Sequence, residues 1–175
     1  MRIVAGSRKG ARIFAPKGRE TRPTSDRIRE AAFSIIGSVV GARVLDLFAG
    51  SGALGLEALS RGAASAVFVE SDHDAVRAIE RNLEKLQLTG ARIVRSDVLR
   101  YLAIAEERYD LVLVDPPYEV VESLRMPFAE HLPHVLADGG LLVLETAAGV
   151  ELELPLGLRT TRRHGSTQLT VFEAA

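Results

Sequence analysis

The chain has 175 residues, 47% of them hydrophobic, which is enough to bury one sizeable core and too little for a second full domain. It has no cysteine, which excludes disulfides, thiolate nucleophiles and Cys-ligated zinc. Its four histidines are scattered, so we expect no metal site. No apolar run could span a bilayer, and the N-terminus lacks a signal-peptide core, so we expect a cytoplasmic protein without membrane contacts.

The net charge of −1 conceals an uneven distribution of charge. Residues 1–30 carry nine basic and three acidic side chains, a charge of +6, and the remaining 145 residues therefore sum to −7. A basic segment on an acidic body is typical of a protein that binds a phosphate backbone, although a solvated, mobile arm has the same composition. The candidates for contacts with nucleic acid are Arg2, Arg8, Lys9, Arg12, Arg19 and Arg22.

The N-terminal residues predict a small hairpin. Residues 2–6 and 11–16 are short alternating runs, and the turn between them would present Arg8 and Lys9 at its tip. A polar connection over residues 16–23 follows. We therefore divide the single domain, 1–175, into a basic hairpin with its connection (1–23) and a helix with an α/β core (24–175).

Strands and helices alternate through the rest of the chain. A helix should begin at residues 24–26 and end at Gly41, with an apolar face from Ile28 to Val39. The runs that follow predict strands over 42–48, 64–70, 91–97, 109–115 and 139–146, and helices over 53–62, 71–88, 98–105 and 120–136, the last interrupted at Pro127 and Pro133. Near-continuous apolar strands between helices indicate a parallel sheet covered on both faces. Two alternating runs, 157–165 and 166–174, predict an antiparallel hairpin at the end.

The predicted strands end in polar or conformationally special residues. The first ends at Asp46 and Phe48 and enters a glycine turn, the second ends at Glu70, and the third ends at Ser96 and Asp97. In a parallel sheet these ends meet at one edge, where ligands bind. Each position also has a purely structural interpretation, as a tight turn or as a cap of the next helix.

The glycine turn reads G-x-G-x-x-G, with glycines at 50, 52 and 55. This pattern, with Glu70 twenty residues after Gly50, suits a cofactor whose ribose offers two hydroxyl groups. NAD and S-adenosylmethionine both meet that description, so the turn alone does not separate them. We interpret Gly55 as a packing glycine of the following helix rather than as a pyrophosphate ligand.

The sequence "DPPY", Asp115 to Tyr118, follows the fourth strand and does separate the two cofactors. The Asp115 carboxylate and the Pro116 carbonyl can accept both N–H groups of an exocyclic amine and favour a pyramidal nitrogen whose lone pair faces a methyl donor. Pro117 would stiffen this turn, and Tyr118 would offer a face for an unstacked base. The structural alternative is a proline-stiffened turn with no ligand.

Four segments together resemble one family. "DLFAGSGALGLEALSRGA", the Val69–Glu70 pair, "DPPY" and "RPTSDRIREAAFSII" look like the bacterial methyltransferases that modify the exocyclic N2 of one guanine in 16S ribosomal RNA. The resemblance spans nearly the whole chain. It implies an S-adenosylmethionine-dependent, metal-free enzyme with a Rossmann-like class I fold: a seven-stranded, mostly parallel sheet with an antiparallel last strand, preceded by a β-hairpin and a helix. It also implies 16S rRNA or the 30S particle as partner, and we expect a monomer.

The resemblance implies roles for particular residues. Those around the cofactor's methionine part would be Asp46, Phe48, Gly50 and Gly52. Those at the ribose and adenine would be Glu70, with Ser71 beside it, Asp97 and Val98, while Thr24 and Ser25 would close over the cofactor. Asp115, Pro116, Pro117 and Tyr118 would receive the guanine.

Two other functions agree with the same residues. One is methylation of a different amine, in a DNA adenine or cytosine, another RNA guanine or a protein glutamine, because the motif recognises an amide-like nitrogen. The other is a nucleotide-binding module without methyl transfer, such as a dinucleotide-binding fold or a catalytically inactive RNA-binding protein.

Overall fold

The computed structural model describes residues 1–16 and 26–175. The helices are α1 (Asp26–Ile36), α2 (Ala53–Ser60), α3 (His73–Leu86), α4 (Val98–Ile104) and α5 (Val121–His131). The strands are β1 (Arg43–Leu47), β2 (Ser65–Glu70), β3 (Ala91–Arg95), β4 (Tyr109–Val114), β5 (Leu136–Ala147), β6 (Gly157–His164) and β7 (Thr167–Glu173). Short 3-10 turns, Tyr118–Val120 and Leu132–Val135, flank α5.

All seven strands form one sheet in the order β3-β2-β1-β4-β5-β7-β6. Strands β1 to β5 are parallel, and β7 runs antiparallel to both of its neighbours. The predicted fold class, a Rossmann-like sheet with an antiparallel last strand, is therefore confirmed. The reversal of strand order beside β1 places the carboxyl ends of β1 and β4 at a topological switch point, where such sheets bind ligands.

The sheet is buried on both faces, as the apolar runs predict. Phe33, Leu56 and Ile79 belong to a core that α1, α2 and α3 form on one face. Leu102 and Phe128 belong to a second core that α4 and α5 form on the other. Because both faces are covered, the ends of the strands are the exposed part of the sheet.

Three predicted elements have an end that differs from the structure by more than two residues. Helix α1 ends at Ile36 rather than at Gly41, because Gly37 adopts a left-handed φ of +83° and its N–H donates to Phe33 O, which closes the helix. Helix α5 passes through Pro127 without a break and ends where the 3-10 turn containing Pro133 begins. Strand β5 begins three residues earlier than predicted, and its pairing with β4 contains an irregularity there.

The N-terminal hairpin is looser than predicted. Its two arms meet in a single antiparallel bridge between Arg2 and Arg12 rather than in two strands. Backbone hydrogen bonds still cross between the arms, from Ile3 N–H to Ala11 O at 2.9 Å and from Gly10 N–H to Ile3 O at 2.8 Å. The first arm is also bonded to α2, since the N–H groups of Val4 and Ala5 donate to the Glu57 carboxylate at 2.8 and 2.9 Å.

Glu57 lies fully buried in the middle of α2, and two backbone N–H groups and two guanidinium groups compensate its charge. Besides the two backbone N–H groups, Arg29 of α1 lies 3.4 Å from its carboxylate and Arg61 lies 2.8 Å from it. Arg29 is itself fully buried and also donates to Arg2 O. One carboxylate therefore joins α1, α2 and the N-terminal segment.

Glu57→Ala should lower the free energy of unfolding by about 3–5 kcal/mol, because it removes the acceptor of two backbone N–H groups and one of the two carboxylates that face the buried Arg29 guanidinium. Urea unfolding followed by circular dichroism measures the change. Glu80→Ala, on the exposed face of α3, is the control and should stay within about 0.5 kcal/mol of the parent. Equal stability of the two variants would contradict the assigned role of Glu57.

Candidate active site

The glycine turn after β1 has an unusual backbone. Three of its residues adopt left-handed φ values: Phe48 at +57°, Gly50 at +55° and Gly52 at +79°. The turn is closed by Gly52 N–H donating to Ala49 O at 2.7 Å and is joined to β2 by Ala49 N–H donating to Val69 O at 3.1 Å. A Cβ atom added at Gly50 would meet nothing nearer than Phe48 O at 3.9 Å, so the surface above Gly50 is open to a ligand.

Glu70 holds this turn against the start of α3. Its carboxylate accepts from Gly50 N–H and from Asp72 N–H, each at 2.8 Å, and the residue is almost completely buried. Asp72 in turn caps α3 by accepting from Ala75 N–H, and Ser71 between them is exposed. A carboxylate has about four acceptor positions, so Glu70 keeps capacity for two ribose hydroxyls after both structural bonds are made.

Asp46, inside the turn, is fully buried and accepts from Gly55 N–H at 2.8 Å. Burial raises the pKa of its carboxyl well above the usual range, and the nearby charges of Asp115 and Glu70 raise it further. The site therefore concentrates negative potential at the carboxyl ends of β1, β2 and β4.

Gly55 is a packing glycine, as we interpreted it from the sequence. A Cβ atom there would lie 2.4 Å from the Phe68 ring and 3.1 Å from Asp46 Oδ2. The third glycine of the pattern thus lets α2 approach the sheet and takes no part in holding a phosphate.

The end of β3 lies beside the end of β2, because Ser96 N–H donates to Glu70 O at 3.1 Å. Asp97 is exposed and caps α4 by accepting from Arg100 N–H at 3.0 Å, while Val98 is buried. The structural interpretation of Asp97 as a cap is therefore correct, and its second oxygen has no bond that competes with a ligand among the described residues.

The "DPPY" turn follows β4, next to the glycine turn. Asp115 is half-buried, Pro116 is buried, Pro117 is exposed and Tyr118 is half-buried. The Tyr118 hydroxyl lies 3.4 Å from Thr167 Oγ1, at the start of β7. Phe48 contacts Phe128 of α5 edge to face, with ring centroids 6.4 Å apart. The predicted residues at the ends of β1, β2 and β4 therefore meet at one edge of the sheet.

The N-terminal basic residues divide into two groups. Arg8 folds back onto the C-terminal end of α3, where its guanidinium donates to the carbonyls of Leu86 and Gln87. Lys9 and Arg12 are exposed, and Arg2 pairs with Asp26 at 3.3 Å. The predicted residues Arg19, Arg22, Thr24 and Ser25 lie outside the described residues.

Sequence reasoning missed Asn82, which lies fully buried on α3. Its side chain accepts from Phe14 N–H at 2.7 Å and donates to Phe14 O and to Ser51 O, each at 3.0 Å. It thereby joins the N-terminal segment to the glycine turn. The sequence feature that could have identified Asn82 is its position in the apolar stripe of the helix, three residues after Ile79, where a polar residue is unexpected. Thr167, beside Tyr118, gave no signal.

The described ranges contain no cluster of three metal-ligating side chains and no helix long and apolar enough to cross a membrane. The sheet order, the glycine turn and the acidic strand ends define a Rossmann-like class I methyltransferase fold. The family model described as "Conserved hypothetical protein 95" matches residues 1–173, and the chain belongs to that family.

Two proteins that this chain resembles are named as ribosomal RNA methyltransferases. The Ribosomal RNA small subunit methyltransferase D of Escherichia coli K12 is 40% identical over 161 residues, which cover 91% of this chain and 78% of that protein. A hypothetical protein of Thermus thermophilus superposes with a TM-score of 0.86 at 37% identity and 99% coverage of both chains. The Thermus thermophilus 16S rRNA N2 G1207 methyltransferase RsmC, in complex with AdoMet and guanosine, has a TM-score of 0.76 at 28% identity, covering 91% of this chain and 45% of that one.

Asp46→Asn should make stability less dependent on pH. Because the folded pKa of Asp46 is raised, its contribution to stability is present below its unfolded pKa of about 3.9 and is lost as the pH rises through the folded value. The Asn variant should therefore gain stability relative to the parent as the pH rises from about 4. Urea unfolding over a pH series measures this difference.

Asp110→Asn is the control, because its effect on stability should change with pH in the opposite direction. The hydrogen bond from Arg43 lowers the pKa of Asp110, so its contribution is present above about 3.9 and is lost as the pH falls through the folded value. That variant should lose stability relative to the parent at neutral pH and match it in acid. Parallel pH profiles for Asp46→Asn and the parent would contradict the electrostatic account of Asp46.

Proposed function

We propose that this protein transfers a methyl group from S-adenosylmethionine to the exocyclic N2 amino group of a guanine in 16S ribosomal RNA, acting as a monomer. The observation that carries the proposal is that the Asp115–Tyr118 turn lies beside the glycine turn at the switch point of the sheet. The relatives support it, since one is a small-subunit rRNA methyltransferase and another holds AdoMet and guanosine.

The residues at this edge fit S-adenosylmethionine. The cofactor supplies an electrophilic methyl group on a positively charged sulfur. The charges of Asp115 and Glu70, which also raise the pKa of the buried Asp46, create negative potential there, which favours a cation. Gly50 leaves room for close approach, Glu70 would accept from the ribose hydroxyls, and Asp97 with Val98 would border the adenine.

Asp115 would orient the target amine rather than remove its proton. The lone pair of an exocyclic amine is delocalised into the base, and two acceptors on its N–H groups favour the pyramidal form that can attack. The Asp115 carboxylate and the Pro116 carbonyl are the two acceptors. Pro117 stiffens the turn, and Tyr118 offers its ring for stacking, worth about 1–3 kcal/mol per base.

Lys9 and Arg12 are the N-terminal residues best placed to hold RNA phosphates, because both are exposed. Arg2 and Arg8 already have partners within the chain, so their contribution to RNA binding would compete with those contacts. Arg19 and Arg22 remain proposed contacts on the basis of charge in the sequence, and Thr24 and Ser25 remain proposed cofactor contacts.

The substrate is tested by incubating the protein with labelled S-adenosylmethionine and 30S particles from cells that lack this enzyme. Naked 16S rRNA, DNA and total protein from the same cells are incubated in parallel. We expect label in N2-methylguanosine at one position of 16S rRNA, identified by nucleoside mass spectrometry and primer extension. Label in another base, in DNA or in protein glutamine would contradict the proposal, as would no transfer to any of them.

Asp115→Ala should lower the single-turnover rate of methyl transfer by at least about a hundredfold, because one preorganised acceptor is lost while the RNA contacts remain. Asp115→Asn keeps an oxygen acceptor and should retain more activity than the Ala variant. RNA affinity should be unchanged in both variants, as measured by filter binding.

Asp138→Asn, at an exposed position near the amino end of β5, is the matched control and should behave as the parent does. If Asp115→Asn is as inactive as Asp115→Ala, and the parent rate rises through an ionisation, Asp115 acts through its charge or as a base. That outcome would refute its assignment as an orienting acceptor.

A further inference from the structure

Strand β6 carries a row of basic side chains that has no role in the site described above. We call Arg159, Arg162 and Arg163 the β6 arginine row; all three are exposed, and since consecutive residues of a strand project to opposite faces, Arg162 and Arg163 flank the open edge of the sheet on its two sides. Glu173, at the far end of β7 opposite Gly157, is the one acidic residue of the β6–β7 hairpin, so the hairpin keeps a net positive charge. Because β6 is the last strand of the sheet, one of its edges faces solvent.

Strand register places part of this row level with the "DPPY" turn. Val114 pairs with Leu144 of β5, and the next residue of β5, Glu145, pairs with Leu169 of β7. Leu169 pairs in turn with Arg162. Arg162 therefore lies in the same row across the sheet as Asp115, the residue after Val114, three strand spacings or about 14 Å away.

A direct contact joins the two regions. The Tyr118 hydroxyl lies 3.4 Å from Thr167 Oγ1, and Thr167 pairs with His164, next to Arg163. The β6–β7 turn and the proposed base-binding turn thus form one continuous edge.

The row is available to a ligand. Within residues 1–16 and 26–175, no carboxylate forms an ion pair with any of its three members, and Arg163 donates only to the Gly165 carbonyl of its own turn. Three other exposed arginines do have carboxylate partners: Arg43 pairs with Asp110, Arg92 with Glu107, and Arg108, just before β4, with Asp138. Arg159 is the extra residue where the β6–β7 pairing shifts register, so no residue of β7 lies opposite it.

We propose that the β6 arginine row binds the phosphate backbone of the RNA substrate beside the target nucleotide. The inference rests on the proposed rRNA substrate and adds a second contact surface to the N-terminal one. The two basic surfaces lie at different parts of the sheet. The row lies beyond β4, on one side of the turn that would receive the base, whereas the N-terminal segment packs on α2 and α3, near β1 and β2. Unpaired guanidinium groups suit phosphate oxygens, which accept from them in pairs.

The test compares two triple variants with the same loss of charge. Arg159→Gln/Arg162→Gln/Arg163→Gln removes the row, and Arg43→Gln/Arg92→Gln/Arg108→Gln removes three ion-paired arginines in or beside β1, β3 and β4. Binding of fluorescent 16S rRNA is measured over a series of salt concentrations. Calorimetric titration with S-adenosylhomocysteine and thermal melting check the cofactor site and the fold of each variant.

The row variant should lose at least about tenfold in RNA affinity near 0.1 M salt, and its slope of log K against log salt should fall by about 2, for three contacts at roughly 0.7 each. The control triple should keep the parent slope. Both should keep the parent affinity for S-adenosylhomocysteine. In methyl transfer to 30S particles the row variant should have a raised KM and a kcat near that of the parent, because the row does not touch the reacting atoms.

Equal RNA affinity and equal salt slope in the two triple variants would overturn the inference. So would a row variant that keeps the parent RNA affinity but forms larger assemblies in light scattering, because the arginines would then serve only to keep the sheet edge from pairing with another chain. If the parent methylates no guanine while the row variant still shows the expected loss of RNA affinity, the proposed substrate is wrong and the contact surface stands.

Discussion

The buried carboxylate of Glu57 is the interaction on which the placement of the first N-terminal residues and of α1 against α2 depends. It accepts from the backbone N–H groups of Val4 and Ala5, and with Asp26 it is one of two carboxylates that pair with the fully buried Arg29. Since Glu57 lies on the helix that begins at the glycine turn, the basic segment and α1 are fixed to the same element that shapes the proposed cofactor site. A charge in the core is costly unless every donor around it is in place, so this arrangement tolerates few alternatives.

The acidic side chains at the carboxyl edge of the sheet have fewer compensating donors than Glu57 has. Asp46 has only one backbone donor, and its neighbours Asp115 and Glu70 are also acidic. The edge is therefore negative, whereas the N-terminal segment and β6 are basic. This separation of charge permits a cationic cofactor and an anionic nucleic acid to bind the same small domain at neighbouring surfaces.

The sequence predicted the order and type of almost every element, because alternation between buried strands and amphipathic helices is a strong signal. It located the ends of β1, β2 and β4, since parallel strands bring those ends together. It did not predict the early end of α1, which depends on the left-handed conformation of Gly37. It also did not show that Arg8 is occupied by α3 or that Asn82 joins the glycine turn to Phe14, because such contacts depend on tertiary packing.

The left-handed backbone of Phe48 has a further consequence. A residue with a Cβ atom is strained in this conformation by about 1–2 kcal/mol, a cost that glycine would avoid. The phenyl ring offsets that strain by packing edge to face on Phe128, which belongs to the helix that follows "DPPY". This aromatic pair thus adds a side-chain contact to the β1–β4 pairing that places the turn that would hold the methyl donor beside the turn that would hold its acceptor. Methyl transfer needs reacting atoms about 3–3.5 Å apart, so a contact distant from both atoms helps to fix the distance between them.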